Sequence, residues 1–220
     1  MDGLSFDYLP NTSIYLYQRK DMFRLNTDTA LLGQFMKVRK NETLLDIGTN
    51  NGALLLYASL TCKSKMIGID VQVEACELAK KNCDYNQLEN VEIFHQDIKD
   101  FKCEAVDVIV CNPPYFKVTH EKQLNLNEYR RIARHEHYLT LDVLIQKVSE
   151  CLKDKGRFYL VHRSDRMVEL IAKLNEYHLV VKTIQLIRDE ENELAHGILI
   201  EAIKGGLQGC DVLKEHIVTR

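Results

Sequence analysis

The chain has 220 residues, 45% of them hydrophobic and 28% charged, with a formal net charge of −3. That is the make-up of a globular protein long enough for one sizeable core, and its slight acidity excludes a strongly basic, bulk nucleic-acid binder. Seven cysteines, an odd number with no C-x-x-C pair, argue against a disulfide framework and a thiolate zinc site, so reduced thiols and a cytoplasmic location are expected.

The opening MDGLSFDYLP lacks a basic stretch followed by an apolar one, so no signal peptide is expected, and the longest apolar run, ALLLYASL (53–60), is too short to span a membrane. A helix is predicted over about 29–38, with Thr27 or Asp28 as N-cap. TLLDI (43–47) reads as a buried strand, ALLLYASL as a helix and MIGID (66–70) as the next strand. Residues 73–86 place Val73, Cys76, Leu78, Ala79 and Cys83 near one helical face. VEIFH (91–95) and VDVIV (106–110) are strands, 116–135 reads as a loop, and 141–152 is an amphipathic helix. RFYLVH (157–162), a helix over about 166–176, and the strands VVKTIQLI (180–187) and GILIEAI (197–203) follow, while 205–220 reads as a tail. The alternation predicts an α/β fold with a parallel sheet covered on both faces; the last two strands, too close for a helix between them, force an antiparallel closing strand.

The first chemical motif is DIGTNNG (46–52), between the first of these strands and its helix. In open α/β sheets, ligands bind outside the carboxyl ends of strands at a topological switch point. Gly48 and Gly52 allow a tight turn and close backbone approach, and their G-x-x-x-G spacing disfavours the pyrophosphate cradle of G-x-G-x-x-G folds. Asp46, ending the first strand, suits an ammonium group. Asp70, ending the second with Val71 beside it, suits vicinal ribose hydroxyls. Asp97 after the third, or the backbone of adjacent Ile98, suits the amino edge of an adenine. Any one such acid is commonly a turn cap. Three at successive strand ends around a glycine loop suit a nucleoside with a cationic amino-acid tail, which describes S-adenosylmethionine.

The second motif is CNPPYF (111–116), after the fourth strand, where two of the chain's three prolines stand together. An exocyclic amine on a base is a poor nucleophile because its lone pair is delocalised into the ring. Two acceptors on its N–H groups favour a pyramidal nitrogen, and the Asn112 side-chain oxygen and Pro113 carbonyl qualify. Pro113 and Pro114 fix φ and remove competing donors. Tyr115 offers a stacking face worth ~1–3 kcal/mol for a base; Phe116 extends that wall, with Lys117 next in line. A base reaches such a pocket by leaving its stack. Alone, the tetrapeptide reads as a turn; its place downstream of the glycine loop favours the catalytic reading.

With these motifs the chain resembles the class I S-adenosylmethionine-dependent methyltransferases, in the amino-group branch with (N/D)-P-P-(Y/F). It looks more closely like the bacterial tRNA1(Val) adenine-N6 methyltransferases, which modify the adenine just 3′ of the anticodon. The matching stretches are LNTDTALL (25–32), LLDIGTNNG (44–52), IGIDVQ (67–72), CNPPYFK (111–117), IARHE (132–136), LVHR (160–163) and LIEAIKGG (199–206). The resemblance implies a Rossmann-like fold with a seven-stranded, mostly parallel sheet, an antiparallel last strand and helices on both faces. It implies that Asp46, Gly48 and Gly52, with Asn50 between them, line the methionine side of the cofactor, that Asp70 and Val71 lie at its ribose, and that Asp97 and Ile98 lie at its adenine. Asn112 to Tyr115 would hold the target adenine, with Asn112 also beside the cofactor. Asn50 stands where such loops often have a middle glycine; asparagine tolerates positive φ better than most residues. The same tetrapeptide serves enzymes acting on release-factor glutamines and on guanine or cytosine amino groups, so these stay open, as does a non-catalytic RNA-binding module.

Residues 1–40 are expected to cover the cofactor site, 41–206 to form the methyltransferase domain and 207–220 to trail from it. Residues 117–166 carry 11 Lys/Arg against 7 Asp/Glu, compatible with RNA contact or with a solvated face. Within them Arg130, Arg131 and Arg134 read either as phosphate contacts or as a charged helical face. Thr27 and Asp28 read as a cover over the cofactor or as caps, and His162 and Arg163, ending the fifth strand, as substrate-facing or structural. His135 and His137 lack a third ligand at suitable spacing, so no metal is expected; neither a membrane nor an obligate protein partner is evident.

Overall fold

The computed structural model describes residues 3–113 and 139–219. An antiparallel hairpin of β1 (Leu4–Tyr8) and β2 (Tyr15–Arg19) leads to helix α1 (Thr27–Phe35). The core then runs β3 (Leu44–Ile47), α2 (Ala53–Ser59), β4 (Met66–Asp70), α3 (Val73–Tyr85), β5 (Val91–His95) and β6 (Val106–Cys111). It continues through α4 (Leu141–Cys151), β7 (Leu152–Arg163), α5 (Met167–Glu176), β8 (Leu179–Asp189) and β9 (Gly197–Lys204), and closes with the short strands β10 (Asp211–Val212) and β11 (His216–Val218).

The main sheet has the order β5-β4-β3-β6-β7-β9-β8, extended at β8 by β10 and β11. From β5 to β7 every pair is parallel, and β9 alone runs antiparallel to both its neighbours. Without its two edge additions the sheet has the seven strands and the reversed closing strand expected from the sequence. The chain starts mid-sheet at β3, moves out to β5 and returns to β6 on the other flank of β3. That reversal creates the switch point.

Strand periodicity explains how the two faces are filled. Leu45, Ile47, Ile109, Phe158 and Leu160 pack with Leu144, Val148, Leu170 and Leu174 of α4 and α5. Their neighbours Leu44, Val108, Val110, Tyr159 and Val161 pack with Leu31, Leu32 and Leu55 of α1 and α2, and with Leu9 and Leu16 of the hairpin. Helix α2 has seven residues, all buried. A helix so short is unstable alone, and about 1.5–3 kcal/mol per buried large apolar side chain is what holds it.

Several boundaries differ from the sequence expectation. The N-cap of α1 is Asn26, whose Oδ1 accepts from the Thr29 N–H at 2.9 Å. Asn26, Thr27 and Asp28 are all good capping types, and the turn geometry selects the first. Helix α1 ends at Phe35 because Met36 is extended, yet Met36 and Val38 stay buried, which is why the apolar pattern outlasts the helix. The β1–β2 hairpin was not foreseen. Within 205–220, read as a tail, Asp211–Val212 and His216–Val218 pair in parallel with β8. The expected loop at 116–135 lies outside the described residues. No helix among the described residues is long and apolar enough to cross a membrane.

Helix α1 meets α2 at Gly33, where a Cβ would stand 2.1 Å from Cδ2 of Tyr57. That ring is buried and its hydroxyl donates to the Pro10 carbonyl at 2.9 Å, so it has little room to yield. Alanine gains up to ~1 kcal/mol of helix propensity, but overpacking costs ~1–3 kcal/mol. Gly33→Ala is therefore expected to lower the melting temperature by several degrees in a thermal unfolding scan.

Candidate active site

The loops after β3 and β4 lie together because Asp46 pairs with Gly68 and Ile47 with Ile69. The N–H groups of Gly48 and Thr49 both donate to the Ile69 carbonyl at 2.9 Å, bending the first loop over the end of β4. Gly48 (φ 74), Asn50 (φ 48) and Gly52 (φ 79) are all left-handed. Glycine meets that demand freely and asparagine better than other residues, so Asn50 preserves the turn in place of a middle glycine. Its N–H donates to Asp70 Oδ2 at 2.9 Å, and its side chain donates to the Phe23 carbonyl at 2.6 Å. No atom of the described residues lies within 4 Å of where a Gly48 Cβ would stand, whereas a Gly52 Cβ would touch Ala79 at 3.4 Å. Gly48 thus borders open space, and Gly52 seats α2 against α3.

Asp46 is fully buried. Its Oδ2 accepts from the Thr49 hydroxyl at 2.8 Å, while Oδ1, like Nδ2 of buried Asn51, has no hydrogen-bond partner among the described residues. Burial, reinforced by the charge of Asp70 and opposed by the Thr49 bond, pushes the Asp46 carboxyl up to about 7. A buried orphaned acceptor costs about 1–3 kcal/mol and is uncommon; here it fits a donor or cation supplied by a ligand. The carboxylate of Asp70 is oriented by two backbone donors, Asn50 on Oδ2 and Gln72 on Oδ1 at 3.0 Å. Gln96 N–H donates to the Asp70 carbonyl at 2.9 Å, which carries Asp97 to the same edge. Asp97 Oδ1 accepts from Lys99 N–H at 2.9 Å, the side chain of Ile98 enters the core, and Val71 is exposed. Open backbone at Gly48, an unmatched acid at Asp46 and an oriented acid at Asp70 fit a nucleoside with a cationic tail.

The acceptor half begins one residue past β6. Ile47 pairs with Cys111, so Asn112 enters beside the glycine loop. Asn112 Nδ2 donates to Thr29 Oγ1 at 2.8 Å, and the Thr29 hydroxyl donates to Asn26 Oδ1 at 2.9 Å. Asn26, Thr29, Asn51 and Phe23 were not singled out by the sequence reading. The N-x-x-T spacing at 26–29 signals a helix cap, but nothing in it tells that the hydroxyl meets a side chain 83 positions away. Pro114, Tyr115, Phe116, Lys117, Arg130, Arg131 and Arg134 lie outside the described residues. His162 is buried at the end of β7, with Nδ1 accepting from the Arg163 N–H at 2.8 Å. Burial first, then the Arg166 charge, pushes it down to about 4, so it is neutral at pH 7 with its proton on Nε2. Arg163 is paired with Asp165. Burial raises the Asp28 carboxyl above its ordinary range. Among the described residues no cluster of His, Cys, Asp and Glu is arranged to hold a metal ion.

A parallel sheet with one reversed strand, and a glycine loop with acids at its switch point, define a Rossmann-like methyltransferase domain. The fold is similar to that of a tRNA m1G37 methyltransferase from M. jannaschii, with TM-score 0.69 and 13% identity over 93% of this chain and 58% of that one. It is also similar to a ribosomal protein L11 methylase from Lactobacillus delbrueckii, with TM-score 0.60 and 18% identity over 84% and 82%. A family model described as a methyltransferase domain matches residues 38–208. Proteins named tRNA1(Val) (adenine(37)-N6)-methyltransferase are similar in sequence. The one from Cytophaga hutchinsonii is 30% identical over 83% of this chain and 77% of its own length, and the one from Porphyromonas gingivalis 30% over 86% and 80%. The chain belongs to the methyltransferase-domain family, in the branch of the tRNA1(Val) (adenine(37)-N6)-methyltransferases.

Asp46 titrates at about 7 in the folded chain, against about 4 for an unfolded aspartate. Between these values the folded state keeps a proton that the unfolded state has lost, so its contribution is present below about pH 4 and lost as pH rises through about 7. The cofactor-free protein is expected to lose thermal stability across that window. Asp46→Asn, which keeps an acceptor for Thr49, is expected to flatten the slope in melting curves recorded over a pH series.

Proposed function

We propose that the chain transfers the methyl group of S-adenosylmethionine to the N6 amine of an adenine in tRNA, at adenine 37 of tRNA1(Val) as in the names of its relatives. The observation that supports the site assignment most is the placement of Asn112, one residue past the strand paired with β3, with its amide nitrogen turned to Thr29. The opposite end of that amide is then the carbonyl oxygen, the acceptor that an exocyclic amine requires.

In this reading Asp46 faces the ammonium end of the cofactor, Gly48 and Asn50 give it backbone clearance, and Asp70 holds the ribose with Val71 alongside. Asp97 and the backbone of Ile98 meet its adenine. The bound cofactor supplies an activated methyl group on a sulfonium. Asn112 Oδ1 and the Pro113 carbonyl accept the two N–H groups of the substrate amine and hold its nitrogen in line, a positioning effect of the kind that lowers a barrier by several kcal/mol. The surplus proton leaves to water after transfer, so no general base is required. Pro114 completes the bracket, Tyr115 and Phe116 form the stacking wall for a flipped base, and Lys117, Arg130, Arg131 and Arg134 contact RNA phosphates. Residues 1–40 cover the cofactor loop, a role supported by the bond from Asn50 to the Phe23 carbonyl. His162, buried and neutral, and Arg163, paired with Asp165, are assigned structural roles at the end of β7.

Labelled S-adenosylmethionine, unmodified valine tRNA transcript and mass spectrometry of the digested nucleosides test the reading. N6-methyladenosine is expected, and Asn112→Ala should cut transfer by about 10²-fold or more while calorimetric cofactor affinity persists. Label entering release factor and not RNA, or an Asn112→Ala protein with full activity, would overturn it.

A further inference from the structure

We propose that Asn26 and Thr29 are positioning residues that decide which end of the Asn112 amide faces the substrate. The inference rests on the reading of Asn112 given above. The two ends of an asparagine amide are nearly equal in size, so packing alone does not choose between them. With its oxygen inward Asn112 accepts from an amine; flipped, it sets a donor against a donor.

The relay removes that ambiguity by counting protons. The backbone N–H of Thr29 can only donate, so the Asn26 atom 2.9 Å from it is the carbonyl oxygen. The Thr29 hydroxyl lies 2.9 Å from that same oxygen and donates its single proton to it. The hydroxyl oxygen is left as an acceptor, so the Asn112 atom at 2.8 Å is the donor Nδ2. A flipped Asn112 would place two oxygens on Thr29 with one proton between them. Thr29 is 7% exposed, which limits replacement of the lost bond by water, and its helix is held by buried Ala30, Leu31 and Leu32. One cap residue therefore both starts α1 and sets the polarity of a side chain at the end of β6.

The experiment compares Thr29→Val, which keeps the shape and loses the hydroxyl, with Thr29→Ser, which restores it. In the tRNA methylation assay Thr29→Val is expected to lower kcat by roughly 10- to 100-fold, as for a misoriented catalytic group, with KM for tRNA and cofactor affinity within about twofold. Thr29→Ser should recover most of the rate, and Thr29→Val added to Asn112→Ala should lower it no further, since coupled residues are not additive. Independently of turnover, hydrogen exchange at the Asn112 side-chain amide should speed up in Thr29→Val. If that variant fails to fold, Asn26→Gly keeps most of the cap and frees the hydroxyl to donate to a flipped Asn112, so the same loss of kcat is expected. Wild-type kcat in Thr29→Val beside an inactive Asn112→Ala, or a Thr29→Ser no better than Thr29→Val, overturns the relay alone. A fully active Asn112→Ala overturns the reading beneath it and the relay with it.

Discussion

The pairing of β3 with β6, from Leu44 with Val108 to Ile47 with Cys111, carries the rest of the architecture. These strands are more than fifty residues apart in the chain, and they lie side by side because the sheet reverses its direction of growth between them. Parallel pairing needs the crossover helices, which need two apolar faces, and both strands supply one side chain to each face in alternation. The glycine loop and Asn112 leave the same edge of the sheet as a consequence. Shifting β6 by one residue would turn Val110 and Asn112 to the opposite face, away from α1 and Thr29.

The edge so formed has two electrostatic halves. On one, a buried acid at Asp46 keeps an oxygen unmatched among the described residues, next to a loop with left-handed backbone and with no described atom near Gly48. On the other, a side-chain amide is held from behind by a helix cap. Residues 23–29 run between them, tied at one end to Asn50 and at the other to Asn112. The segment ahead of the core thus bonds to both halves of this edge.

Much of this was legible from residue order. Buried strands such as LLDI and MIGID announce themselves because both faces are covered, and the short link between β8 and β9 admits only an antiparallel turn. Asp46, Asp70 and Asn112 were recognisable because they stand at or near the ends of successive apolar strands around one glycine loop, a combination that turn capping of any single residue does not explain. The cap at Asn26 was not: three capping residues in a row satisfy the same local rule. The hairpin escaped because Tyr15, Tyr17 and Phe6 make their aromatic contacts with each other and with Tyr85 of a distant helix. The strand role of residues 211–218 escaped because two- and three-residue strands have no periodicity to read.

The sequence by itself determined the alternation of elements and the left-handed turns at Gly48, Asn50 and Gly52, because each depends on contacts between near neighbours: backbone dihedrals, side-chain period and turn chemistry. Only the tertiary structure decided that Asp46 is buried with one oxygen unmatched among the described residues, that His162 is a buried, neutral ring, and that Thr29 bonds to Asn112. Those properties depend on desolvation and on the single proton of a hydroxyl shared across 83 positions, and neither exists until the sheet has brought the two stretches within hydrogen-bonding distance.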